Sequence, residues 1–398
     1  MDMFKKAGPG MLVAAAFIGP GTVTTCIRAG VDWKLGLLWA LLLSVVATLV
    51  LQEMAGRLGL TTREGIPGLI REVIRKPVLK ALLIGIILSA IVLGNTAYEA
   101  GNISGAVLGL EALAGPGWLS VYPFVTGLLA FLLLWFGSYR ILENVFTGLV
   151  LLMSLSFLLT AVLTRPDPFE ILRGLLIPDL NSENLLTVVA LIGTTVVPYN
   201  LFLYTSLVSE KWGSATALGA MRTDIGISIL VGGLVSMAIL VTAAGSTTVT
   251  LQGVMDLARG LEPLYGSLAK YGLGIGLFAA GITSAITAPL AAAFVARQCF
   301  GWDPDRKDWR FRMVWMLVLL TGVATLSLDF RPLEIIFFAQ VANGILLPVI
   351  AIFLWWAVNQ PNLMKGNANT RFQNVVTSLV LILVIGLGIW SIFRILSN

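Results

Sequence analysis

Runs of about twenty apolar residues, the length a helix needs to cross a bilayer, recur along this whole chain with only short polar breaks between them. In lipid every backbone polar group must be bonded within the protein, so such a chain is restricted to helices or a closed barrel. These runs are too long and too continuous for barrel strands, and the expected class is all-α and polytopic. The charge content agrees: 12% of the 398 residues are charged and 57% are hydrophobic, where soluble domains carry about 25% charged residues. Eleven spans are expected, at about 10–31, 34–58, 78–108, 118–137, 143–163, 185–209, 222–246, 267–299, 313–328, 333–357 and 374–396.

Lysine and arginine favour the cytoplasmic side of short loops. With the N-terminus inside, 18 of the 26 basic residues fall on the inner side. That bias places the N-terminus in the cytoplasm and the C-terminus outside. It also accounts for the net charge of +5, which is therefore no sign of nucleic-acid binding. Cys26 and Cys299 lie near opposite faces in this topology, so no disulfide is expected between them. No cleavable signal peptide is evident, and the first span is read as mature protein. Histidine is absent, which removes the commonest metal ligand and the usual near-neutral proton carrier.

Two spans are interrupted at their centres. The first is broken by Gly19-Pro20-Gly21-Thr22 and the sixth by Val197-Pro198-Tyr199-Asn200. Proline has no N–H, so Pro20 frees the carbonyl of Ala16 and Pro198 that of Thr194. Within a bilayer such groups are tolerated where they line a cavity, and paired broken helices in corresponding halves point to the solute site of a secondary transporter. Five spans separate the two breaks, so the halves are expected as inverted repeats, about 10–163 and 185–357, with an additional helix at about 374–396. This is the five-plus-five arrangement of LeuT-type transporters. All of 1–398 is then one transporter domain, because neither half completes the site alone.

The residues around both breaks resemble those of the NRAMP (natural resistance-associated macrophage protein) family of divalent-metal transporters. Met11 to Gly30, MLVAAAFIGPGTVTTCIRAG, is similar to that family's first span, whose break reads Asp-Pro-Gly-Asn. Leu191 to Val208, LIGTTVVPYNLFLYTSLV, is similar to its sixth, whose break reads Met-Pro-His-Asn. Further similarity lies in Leu51 to Leu60, Arg222-Thr223-Asp224, Gly281 to Arg297, and Gln340 with Asn343. The resemblance implies an 11-helix LeuT-type fold in a prokaryotic plasma membrane. The departures fall where the family does its chemistry. Gly19 stands where the family has its metal-binding aspartate, Thr22 where it has asparagine, and Val197 where it has the thioether. Tyr199 and Tyr204 occupy the two histidine positions, and Trp315 that of a basic residue in span nine. Of the carboxylate pair in span three, Glu99 remains with Thr96 as its companion. The chain is identified as a divergent member lacking the metal-binding motif residues.

A transition metal needs carboxylate, imidazole or sulfur ligands. Two half-helix N-termini instead present free N–H groups and partial positive charge. With hydroxyls and amides beside them, the breaks suit a small oxyanion, bicarbonate being the specific expectation. The expected substrate-binding set is Gly19, Gly21, Thr22, Thr24, Thr25, Thr194, Thr195, Val197, Tyr199, Asn200, Gln340 and Asn343, with Arg28 raising the potential at the outer mouth. The same threonines would equally serve helix packing. Importing an anion against a negative-inside potential costs about 2.3 kcal/mol per 100 mV, so a coupled cation is expected. LeuT-type sodium sites combine span-one carbonyls with a hydroxyl pair on span eight, which here points to Ala16, Phe17, Thr283, Ser284 and Thr287. Glu99 is a candidate proton relay, Asp224 a helix cap or structural ion pair, and Glu53 with Arg57 a surface pair. No cofactor is expected beyond sodium as coupling ion, and no oligomer is implied. The alternatives are a divalent cation, Mg2+ or Mn2+, as substrate, and a non-transporting receptor on the same fold. No constellation for an enzyme is present.

Overall fold

The two interrupted spans each fold as a pair of half-helices. In the computed structural model, which describes residues 8–137, 139–212, 215–245, 267–302, 308–326 and 347–397, α1 (Pro9–Phe17) and α2 (Pro20–Trp33) meet at 49°. Gly19 between them is extended, with φ −90° and ψ 179°. In the sixth span, α9 (Leu185–Thr195) and α10 (Pro198–Lys211) flank Val196 and an extended Val197. Both breaks follow one plan: two non-helical residues, then proline at the first helical position, where its missing N–H costs nothing. That matched construction is what an inverted repeat requires.

Between the broken spans run α3 (Leu38–Thr62), α4 (Ile66–Val73), α5 (Pro77–Ala114), α6 (Tyr122–Phe136), α7 (Tyr139–Leu163) and α8 (Pro168–Leu176). After them come α11 (Leu218–Ala244), α12 (Ser267–Phe300), α13 (Trp309–Thr325), α14 (Leu347–Val358), α15 (Pro361–Met364) and α16 (Arg371–Ser397). There is no strand among the described residues. Among the described residues, five helices are long and apolar enough to cross a membrane, and up to seven if each bent pair is one span. The long connection after α7 is not bare loop, since Asp167 caps α8 by accepting from the Phe169 N–H.

The centre of the bundle is made by small residues that let helices approach closely, the usual device where lipid removes the hydrophobic drive between helices. α12 lies against α5, and a Cβ on Gly281 would meet the backbone of Ala106. α1 is wedged among α7, α10, α11 and α12, while α2 rests on α9 and α11. The start of α1 is held by Asp224 of α11, whose two carboxylate oxygens accept from the Gly8 and Gly10 N–H groups at 2.8 Å each. Asp224 is thus the helix cap. A carboxylate suits this place because the first N–H groups of a helix lack internal partners and carry partial positive charge. The Glu53–Arg57 pair is a correction. Arg57 is 2% exposed, bonds the Asn367 carbonyl as well as Glu53, and so joins α3 to the segment before α16 instead of lying on the surface.

Candidate functional site

The two breaks face each other and are stitched together across a small cavity. Pro20 frees the Ala16 carbonyl, and the Tyr199 hydroxyl, from the other break, donates to it at 3.3 Å. Pro198 frees the Thr194 carbonyl, and Thr22 lies against that residue, its Oγ1 being 2.7 Å from the Thr194 Oγ1 and 3.4 Å from the carbonyl oxygen. Thr22 also donates to the Phe17 carbonyl across its own break. Tyr199 therefore satisfies a carbonyl of the other break, whereas the one Thr22 proton serves its own break and only approaches the other. These bonds are made in a region where Thr22, Thr194 and Tyr199 are no more than 5% exposed, so each is worth more than it would be in water.

The cavity so framed has a volume of about 20 Å³, room for roughly one water molecule. From the first repeat Ala16, Phe17, Gly19, Gly21 and Thr22 line it; from the second come Thr194, Val197, Tyr199 and Ser284. The first backbone bond of α2 runs from the Val23 N–H to the Gly19 carbonyl, so the Gly21 and Thr22 N–H groups precede it at the positive end of the half-helix. Gly19 leaves room for Ser284: a Cβ there would sit 2.5 Å from the Ser284 Oγ, which would have to turn away. That hydroxyl is buried and has no hydrogen-bond partner among the described residues.

Two lining residues, Tyr98 and Asn102 of α5, escaped the sequence reading. The available signal was spacing: Asn102 lies three positions after Glu99 and four after Tyr98, so it is a helical neighbour of each. Tyr98 stands edge-on to Tyr199 with ring centres 6.3 Å apart. Asn102 donates to the Glu99 carboxylate at 3.1 Å, so Glu99 stands directly behind the cavity lining. Its other oxygen has no partner among the described residues.

The remaining expected residues are distributed as follows. Thr25 is buried and Thr24 half-buried on α2, and neither lines the cavity. Thr195 donates back to Leu191 at 2.9 Å, the packing use of a helical threonine. Asn200 is 1% exposed and outside the lining, with neither amide atom bonded among the described residues. Thr283 donates to Ala279 and Ala280 on its own helix and lies 3.4 Å from the Ala15 carbonyl, whereas Thr287 donates back to Thr283 and meets the Tyr199 hydroxyl. Ser284 alone of that hydroxyl cluster reaches the cavity. Gln340 and Asn343 lie outside the described residues. Arg28 is exposed and paired with Asp32 at 3.6 Å, which offsets the potential it would raise at the mouth. Tyr204 donates to the Met221 carbonyl at 3.3 Å, and Trp315 is packed against Phe131 and Trp135. Both have become structural. No cluster of three or more histidine, cysteine, aspartate or glutamate side chains suited to a metal occurs among the described residues.

Residues 10–394 match the sequence model of the family described as natural resistance-associated macrophage protein-like. A protein of Klebsiella pneumoniae (strain 342) named divalent metal cation transporter MntH is 28% identical, over 97% of this chain and 93% of its own length. Among solved structures, a manganese transporter from Eremococcus coleocola superposes with a TM-score of 0.79 at 20% identity, covering 98% of this chain and 86% of that one. MhsT, crystallised with L-phenylalanine, does so at 0.65 and 14%, covering 95% and 98%. The fold is of the LeuT type, as expected.

Proposed function

Because this chain belongs to the natural resistance-associated macrophage protein-like family, it is an integral membrane transporter and not an enzyme, and we propose that its cargo is a small inorganic anion bound between the two breaks. Bicarbonate is the specific candidate, entering by alternating access with sodium as the coupled ion, and the cavity, with room here for about one water, must widen to admit it. The observation that carries this reading is the state of the freed carbonyls. Those of Ala16, Phe17 and Thr194 are the oxygens a cation would need; Tyr199 donates to Ala16, and the one hydroxyl proton of Thr22 serves Phe17, with the Thr194 carbonyl 3.4 Å from the same oxygen. What remains around the cavity is the positive end of α2, the Ser284 hydroxyl and the Asn102 amide. No carboxylate, imidazole or thioether lines it, so nothing there offsets the dehydration of a divalent ion.

The second reading is a divalent cation, Mg2+ or Mn2+. It is favoured by the names of the relatives, a divalent metal cation transporter and a manganese transporter. On those names alone it stands ahead of the anion, and neither bicarbonate nor sodium is mentioned in them. The anion reading rests on the residues by which this chain departs from the family's motif. Sodium coupling rests on the Ser284 hydroxyl, unbonded among the described residues, and on Thr283 beside the Ala15 carbonyl, which is not one of the oxygens taken by Tyr199 and Thr22. A cytoplasmic N-terminus and an outer C-terminus complete the proposal.

Flux into liposomes decides between the two. Uptake of labelled bicarbonate that depends on a sodium gradient, without manganese or magnesium entry, is the expected outcome. Saturable manganese or magnesium entry overturns the anion reading in favour of the second. Absence of any flux by a folded protein favours a receptor on the same scaffold.

A further inference from the structure

A second and larger cavity, of about 280 Å³, opens between α3, the start of α11 and the start of α16. Its floor is apolar, formed by Leu49, Val50 and Met54 of α3 with Val376 of α16. Its rim is charged. Glu53 accepts from Arg57 at 3.1 Å and from Arg222 at 2.7 and 2.9 Å, so the three side chains leave one net positive charge. Arg57 is saturated by Glu53, the Asn367 carbonyl and Asn369. Arg222 is not: its Nε and Nη2 go to Glu53, and its Nη1 makes no bond among the described residues. At 45% exposure, that guanidinium is open to a ligand at the mouth.

The approach to this mouth is also distinctive. Glu53 pairs with Arg222, and a Cβ on Gly233 would meet Val45, so α3 and α11 run antiparallel along a shared seam. The same two helices expose Leu42 and Val46, and Leu230 and Leu234, at the four-residue spacing that keeps side chains on one face. Arg222 lies two helical repeats of that row before Leu230. Beside it Gly226 is open, with nothing within 4 Å of where its Cβ would stand. α16 adds exposed Phe372, Val375 and Leu379. Apolar rows that lead to a positively charged, incompletely bonded rim match a molecule with hydrocarbon at one end and a phosphate at the other. We propose that this cavity is a binding site for an anionic phospholipid, with the phosphate on Arg222 Nη1 and acyl chain on the floor formed by α3 and α16. The lysine and arginine bias assigns this end of the bundle to the cytoplasm, where anionic headgroups attract basic side chains.

The test is native mass spectrometry of the full chain in detergent, titrated with phosphatidylglycerol, phosphatidylcholine of the same chains, or glycerol phosphate. Preferential retention of phosphatidylglycerol is expected, weakened about fivefold in Arg222→Gln, the loss appropriate to one interfacial arginine. Gly226→Phe leaves every charge in place and fills the open flank of α11, and it is expected to weaken retention as well. Equal retention of the two lipids, or unchanged phosphatidylglycerol binding in both variants, overturns the proposal. So does glycerol phosphate competing as well as the lipid, which would make the site one for a free phosphate.

Discussion

Three prolines sit near the middle of membrane-length helices here, and they do not have the same effect. Pro20 and Pro198 stand at breaks, while α12 continues from Ser267 to Phe300 through Pro289. Each proline removes one helical bond, so the proline alone does not decide the outcome. At the breaks the freed carbonyls meet hydroxyls from the other broken span: Tyr199 donates to Ala16, and Thr22, whose proton serves Phe17, lies 3.4 Å from that of Thr194. α12 has instead a buried wall on several sides, with α5, α7 and α13 packed along it and Asn95 donating to the Ala288 carbonyl at 2.8 Å. An outside donor on one carbonyl is therefore compatible with a continuous helix, and what α12 lacks is a donor on the Ala285 carbonyl that Pro289 frees, none reaching it among the described residues.

The comparison can be tested by substitution. Gly19→Asp restores a carboxylate at the first break, but places its Cβ against the Ser284 Oγ. Overpacking of this kind costs about 1–3 kcal/mol, so a large fall in melting temperature is expected, partly relieved by Ser284→Gly in the same chain. An unchanged melting temperature in the single variant would show that the break yields as easily as a loop. Thr22→Val removes the stitch while keeping the shape. A loss of about 1 kcal/mol is expected, together with loss of solute flux, and retained flux would mean that the cross-repeat bonds are not needed for transport. The smallest effect is expected from Pro289→Ala, which gives α12 back one helical bond. It should raise the melting temperature slightly and leave flux unchanged; loss of flux would put Pro289 in the same class as the two breaks.

The architecture was legible because its determinants are one-dimensional. Apolar runs of fixed length, proline at the breaks and a five-span offset between them need only the order of residues. The roles of individual hydroxyls were not. Thr194 and Thr195 are neighbours of one residue type, yet one reaches the cavity and the other bonds to Leu191, because successive helical positions point about 100° apart. Tyr98 and Asn102 were missed since neutral polar residues in a membrane helix give no cost signal of the kind that drew notice to Glu99. Arg57 was read as a surface residue from its i, i+4 partner, but its burial is caused by a segment more than 300 positions later, at Asn367. Contacts of that separation leave no mark in local sequence.

The carboxylate of Asp224 grips only the first residues of α1, and the helix ends nine residues on at Phe17, beside an extended Gly19. A nine-residue helix is about 13 Å long. Its far end is held as well, because the Phe17 ring lies against Gly232 of α11, so α1 and α11 are tied at both ends and a tilt that parts Ala16 from Tyr199 carries the two helices together.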